Sequence, residues 1–127
     1  GGRADVMFEA MPTVVGHIRE GKLRGLAVGS AARSAVFPDI PALAEVLPGY
    51  EGNVWFGIGA PKNTPSEIID KLNKEINAAL ADPKMKARLA DLGGTVLPGS
   101  PDDFRKLIAE ETEKWGKVVR SAGLKPE

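Results

Sequence analysis

Residues 5–28 read DVMFEAMPTVVGHIREGKLRGLAV, and their reading decides the fold class. Val6–Phe8 is a short apolar run with strand character. Pro12, Val14, Val15 and Ile18 then form a helical stripe that Gly21 closes. From Leu23 to Val28 a second strand-like run returns. Strand, helix and strand joined by short connections favour parallel pairing with a right-handed crossover, so the chain is expected to be an α/β protein.

Beyond this unit the pattern lapses. Residues 29–52 are punctuated by Pro38, Pro41 and Pro48, with room for one short helix around Ala42–Val46. A connection of this length is rarely idle, and its readings are a hinge, an inter-domain crossing or an extended surface arm. Val54–Ala60 resumes as a strand, whose glycines suggest close backbone approach or a bend, and it stops at Pro61.

The second half is helical. Thr64-Pro65, Asp82-Pro83 and Ser100-Pro101 each set a capping side chain before a proline at the first helical position. Thr64 with Glu67 also fits a capping box. The three apolar stripes are Ile68, Ile69, Leu72, Ile76 and Leu80; Met85, Leu89 and Leu92; and Phe104, Leu107, Ile108, Trp115, Val118 and Val119. Gly93-Gly94 and Gly123 mark the ends of the second and third helices, and Thr95–Leu97 reads as one further strand.

Composition narrows the function classes. The 127 residues are 43% hydrophobic and 27% charged, which excludes disorder, fibrous repeats and a membrane span. Lys plus Arg equals Asp plus Glu at 17 each, so no basic field is available for a nucleic acid. Without cysteine there is no disulfide, thiolate nucleophile or zinc-thiolate site. His17 is the lone histidine, lies off its helix's apolar stripe and reads as a surface side chain. Gly57-Ile58-Gly59 lacks the third glycine of a dinucleotide fingerprint. Glu110, Glu111 and Glu113 stand at helical spacing from Lys114 and Lys117, the pattern of a solvated, paired face. An enzymatic reading would need Glu9 or His17 as a base with no nucleophile beside it; the expectation is no enzyme, no cofactor and no metal. No secretory signal is written in the opening residues, which begin abruptly at a strand, as the middle of a longer protein would.

Two places fit a ligand. Phe8, Glu9, Ala10 and Met11 form the turn at the carboxyl end of the first expected strand, where open α/β sheets bind ligands and a helix N-terminus can receive an anion. Trp55 and Phe56 open the strand after the long connection, so that alternation turns one ring to a cleft and its neighbour to the core.

The order and spacing of several motifs resemble those of the Bug family, the solute receptors of tripartite tricarboxylate transporters. They are Asp5–Phe8, Gly21–Val28, Arg33-Ser34, Pro38–Pro41, Pro48–Glu51, Trp55–Gly57 and Ala60-Pro61, then Thr64-Pro65, Leu72-Asn73, Ile76-Asn77, Ala81–Pro83, Leu92-Gly93 and Trp115. The resemblance covers essentially the whole chain. It implies a partial periplasmic-binding-protein fold of type II, matching the C-terminal portion of the family only. Residues 1–28 would be a remnant of the second lobe, 29–53 the crossing or hinge segment, and 54–127 part of the first lobe. It also implies a periplasmic receptor that binds a small carboxylate solute and delivers it to membrane permease subunits. The glycine- and proline-rich carboxylate loop of the family's N-terminal region has no counterpart here. Where the family often carries an Asp-Asn pair, this chain has Glu9-Ala10, and an acidic Glu9 suits a cationic amine on the solute. Half of a bilobal sheet leaves strand edges open, so a homo-oligomer is expected: a dimer that exchanges the 29–52 arm, or one in which each sheet is completed by its neighbour. The alternative reading is a structural or oligomerisation module that binds no solute.

Overall fold

A computed structural model describes residues 3–125. Its elements are α1 (Met11–Arg19), a 3₁₀ turn at Leu43–Glu45, α2 (Ser66–Ala81), α3 (Pro83–Asp91) and α4 (Pro101–Ser121).

The helix boundaries follow from local chemistry. The Asp82 carboxylate accepts the amides of Lys84 and Met85 at 2.9 and 3.0 Å, which satisfies two donors that the first turn of α3 leaves open. At α4 the Ser100 hydroxyl accepts the Asp103 amide at 3.1 Å while the Asp103 carboxylate accepts the Ser100 amide at 2.8 Å. That reciprocal pair is a capping box with aspartate in the glutamate's place. The capping box expected of Thr64 and Glu67 is corrected: the Thr64 hydroxyl donates to the Pro61 carbonyl at 2.8 Å, and α2 opens two residues later.

The helix ends are as regular. α1, α3 and α4 are followed by Gly21, Gly93 and Gly123, at φ +69°, +77° and +66°. In each case the next residue's amide reaches back to the last turn: Lys22 to His17 at 2.9 Å, Gly94 to Leu89 at 2.9 Å, Leu124 to Val119 at 3.1 Å. This is the Schellman termination, which glycine enters without steric cost.

The segments expected as strands differ from the expectation. Val6–Phe8, Val54–Ala60 and Thr95–Leu97 run without a ladder among the described residues. Within Leu23–Val28, only Val28 pairs, in an isolated parallel bridge with Ala42. A strand is held by its neighbour, and the local sequence supplies none to these runs. The expected short helix around Ala42–Val46 is present as the 3₁₀ turn.

The chain divides into two compact units. The first comprises Gly1–Phe56 and Ala81–Val96 and contains Val15, Val28 and Ala42, the buried apolar side chains among the described residues. Val28 donates to the Pro41 carbonyl and accepts from the Leu43 amide, both at 2.9 Å, which seats Ala42 beside it. A Cβ on Gly25 would collide with Ile40, and one on Gly93 would collide with Met11, so glycine admits both close approaches.

The second unit comprises Gly57–Leu80 and Leu97–Glu127, with α2 and α4. Asn73 and Asn77, one helical turn apart on α2, hold the loop before α4. The Asn73 amide donates to the Gly99 carbonyl at 2.8 Å. Asn77 donates to the same carbonyl at 2.9 Å and accepts the Gly99 amide at 3.1 Å. Its side chain thus copies the two-bond exchange of a strand neighbour. Gly57 lies against the Phe104 ring, where a Cβ would not fit.

Candidate ligand-binding site

The turn before α1 is built around its backbone. Ala10 is the N-cap at φ −71° and ψ 137°, with no side-chain acceptor to offer, and Pro12 contributes no amide to the first turn. The Ala10 carbonyl accepts both the amide of Thr13 at 3.1 Å and its hydroxyl at 2.7 Å. The Ala10 amide is taken by the Glu9 carboxylate at 2.9 Å. Glu9 therefore brings a negative charge to the partial positive end of the helix, where a bound anion would also be favoured.

Of the residues singled out from sequence, Phe8 and Phe56 are largely exposed, at 87% and 79%. Glu9 is exposed, and Ala10, Met11 and Trp55 are half-buried. All six lie in the first unit. Met11 packs at Gly93, so α3's end fixes the first residue of α1. His17 is exposed, as its position off the Val14, Val15 and Ile18 stripe predicts. On α4, Glu113 pairs with Lys117 at 2.7 Å, Glu111 with Lys114 at 3.1 Å and Glu110 with Lys106 at 3.8 Å.

Sequence reasoning missed the organisation of residues 29–52. The Gly52 amide donates to the Gly29 carbonyl at 2.9 Å, so the two ends of this long connection meet. A Cβ on Gly29 would stand 2.6 Å from the Gly52 carbonyl oxygen, a backbone atom that cannot yield. Inside the loop, Arg33 grips Glu45 with Nε and Nη2, each at 2.7 Å, and donates from Nη1 to the Pro38 carbonyl at 3.1 Å. Glu45 also accepts the Ala42 amide at 2.9 Å. The Arg33 hydrogen bonds first, and the Ala42 amide second, hold the Glu45 carboxyl down at about 2. Both side chains are solvent-exposed, so the clamp shapes the loop more than it stabilises the fold. Arg33 and Pro38–Pro41 are thus structural residues of the closed loop. Among the described residues no three His, Asp or Glu side chains assemble to hold a metal, and no helix is long and apolar enough to cross a membrane.

Solved structures similar to the chain are those of periplasmic binding proteins. A structure described as the periplasmic binding protein BugD matches with TM-score 0.84 and 33% identity, over 90% of this chain and 39% of that one. Rpa4515 of R. palustris, solved with adipate, matches with TM-score 0.87 and 35% identity, over 92% of this chain and 40% of that one. Protein BugT of Bordetella pertussis is 41% identical over 126 residues, which are 98% of this chain and 39% of the relative. The model of the tripartite tricarboxylate transporter family receptor matches residues 1–124, and the chain belongs to that family. It spans about two fifths of the length of these relatives. The unladdered runs and the α/β expectation are thereby reconciled: the chain carries part of a periplasmic-binding-protein fold.

Proposed function

We propose that the chain belongs to a periplasmic receptor that captures a small carboxylate-containing solute and presents it to the permease subunits of a tripartite transporter. The observation that carries this reading is the likeness to the adipate-bound protein over nine tenths of the chain, at 35% identity. Adipate is a dicarboxylate, and the partial positive charge at the start of α1 that would attract such a group is offset by the Glu9 carboxylate on the Ala10 amide. In this reading Phe8, Glu9, Ala10 and Met11 line one side of the solute, and Trp55 and Phe56 supply aromatic surface. Residues 1–28 would belong to the second lobe, 29–53 to the connection between lobes and 54–127 to the first. Capture requires no covalent chemistry, only closure of the lobes. With Glu9 where a neutral amide would receive a second carboxylate, solutes that also carry an amine are favoured over plain diacids.

The test is a thermal melt of the chain against adipate, shorter and longer diacids, acidic amino acids and aromatic acids. A solute that binds only the folded state stabilises it by about 2.7 kcal/mol at a hundredfold excess over Kd. Stabilisation by one chemical class supports the receptor reading and names the solute class. A cooperative melt that none of them moves overturns it for this chain and leaves the structural module.

A further inference from the structure

The glycines that end α1, α3 and α4 share a left-handed φ, yet their surroundings differ. At Gly21 and Gly123 an added methyl group would meet open space. At Gly93 it would collide with Cγ of Met11 and stand 3.2 Å from Cβ of the same residue. The turn at the end of α3 thus asks for glycine twice, once for its φ of +77° and once for the room it leaves to a side chain distant in sequence.

The two Met11 atoms differ in what they can yield. Cγ swings aside with a change of the first side-chain torsion, which costs a favoured rotamer. Cβ is bonded to the backbone and gives way only if the start of α1 moves with it. Gly93 and Met11 are both half-buried and belong to the same compact unit. Met11 is the first residue of α1, and the amide before it, that of Ala10, is held by the Glu9 carboxylate at 2.9 Å. A displacement at Met11 therefore passes directly into the 8–11 turn.

We propose that Gly93 is a positioning residue for solute capture: by leaving its Cβ position empty, the end of α3 seats Met11 and holds the 8–11 turn in the geometry that receives the solute. The inference rests on the reading of that turn as part of the solute site. It adds to that site a residue that acts through Met11 and needs no contact with the solute. A binding constellation tolerates displacements of only about 0.5 Å, and a contact at 3.2 Å from Cβ asks for a few tenths of an ångström at the backbone.

Gly21 and Gly123 serve as internal controls. Alanine at any of the three positions meets the same left-handed strain and should lower the melting temperature. Only Gly93→Ala should also shift the amide resonances of Glu9, Ala10 and Met11 in nitrogen–proton correlation spectra and weaken adipate binding, read by calorimetry, about tenfold. Exchanging the side chains supplies the rescue. Gly93→Ala added to Met11→Gly should leave the Glu9 and Ala10 resonances where Met11→Gly alone places them, because the colliding atoms are gone. If Gly93→Ala does not fold, recovery of the fold in that double variant supports the proposal, and failure to recover it overturns it. Unmoved 8–11 resonances or an unchanged adipate affinity in Gly93→Ala would overturn it as well. So would an equal loss of affinity in Gly21→Ala or Gly123→Ala, which would trace the effect to stability. A wild-type chain that does not bind adipate counts against the solute reading, and the resonances of the Gly93 variant then decide whether α3 seats the turn.

Discussion

Replacing Asn77 with alanine removes the two-bond grip on Gly99 and the 3.1 Å hydrogen bond that Asn77 donates to the side-chain Oδ1 of Asn73. A net contribution of about 1 kcal/mol per hydrogen bond gives an upper value near 3 kcal/mol. The site is half-buried, so water reaches part of the exposed backbone, and the expected loss is about 2 kcal/mol. With a urea dependence of about 2 kcal/mol per molar, the unfolding midpoint should fall by about 1 M. Asn77→Asp is the sharper probe. It keeps the acceptor for the Gly99 amide but turns the donor into a carboxylate oxygen facing the Gly99 carbonyl. At neutral pH it should be no more stable than the alanine variant, and near pH 3, where the carboxyl gains a proton to donate, it should overtake it. Far-ultraviolet dichroism at one fixed protein concentration reads both midpoints. An alanine variant within about 0.5 kcal/mol of the parent, or an aspartate variant with no relative gain in acid, would refute the clamp.

Three other outcomes follow from local geometry. Glu45, held at about 2 against an ordinary 4.5, favours the folded loop at every pH above 4.5 and loses that contribution as pH falls toward 2. Glu45→Gln should therefore flatten the acid limb of a stability profile between those values while leaving its neutral shape. Asp82→Ala removes both acceptor bonds at the start of α3 and should cost about 1 kcal/mol, read as a lower melting temperature. Gly29→Ala forces a Cβ onto the Gly52 carbonyl and should cost about 1–3 kcal/mol, with faster hydrogen exchange at the Gly52 amide as its signature. Unchanged exchange there would mean that the loop closes by other contacts.

What could be read in advance was what the chain encodes locally. Asp82, Ser100 and the three terminal glycines act within one turn of their own position, and their roles are visible in the letters. Thr64 misled because Pro61, three residues back, presents a carbonyl that captures its hydroxyl. The runs expected as strands form no ladder among the described residues, since a ladder depends on a neighbour distant in sequence. Arg33 with Glu45, twelve residues on, and Asn77 with Gly99, twenty-two on, follow no periodicity. For the site, the turn into α1 was readable from Phe8–Pro12, whereas the Glu9 carboxylate on the Ala10 amide is a matter of rotamer.

The meeting of Gly29 with Gly52 closes the intervening residues into a loop clasped at its neck. Lengthening such a loop is entropically cheap, about 0.6 kcal/mol for each doubling. The exposed Pro48-Gly49 corner, with Gly49 at φ +83°, is where the chain can accept a graft. A tag or reporter domain spliced there would hang outside the neck, and Val28, Ala42 and the entry to α1 would be left as they are.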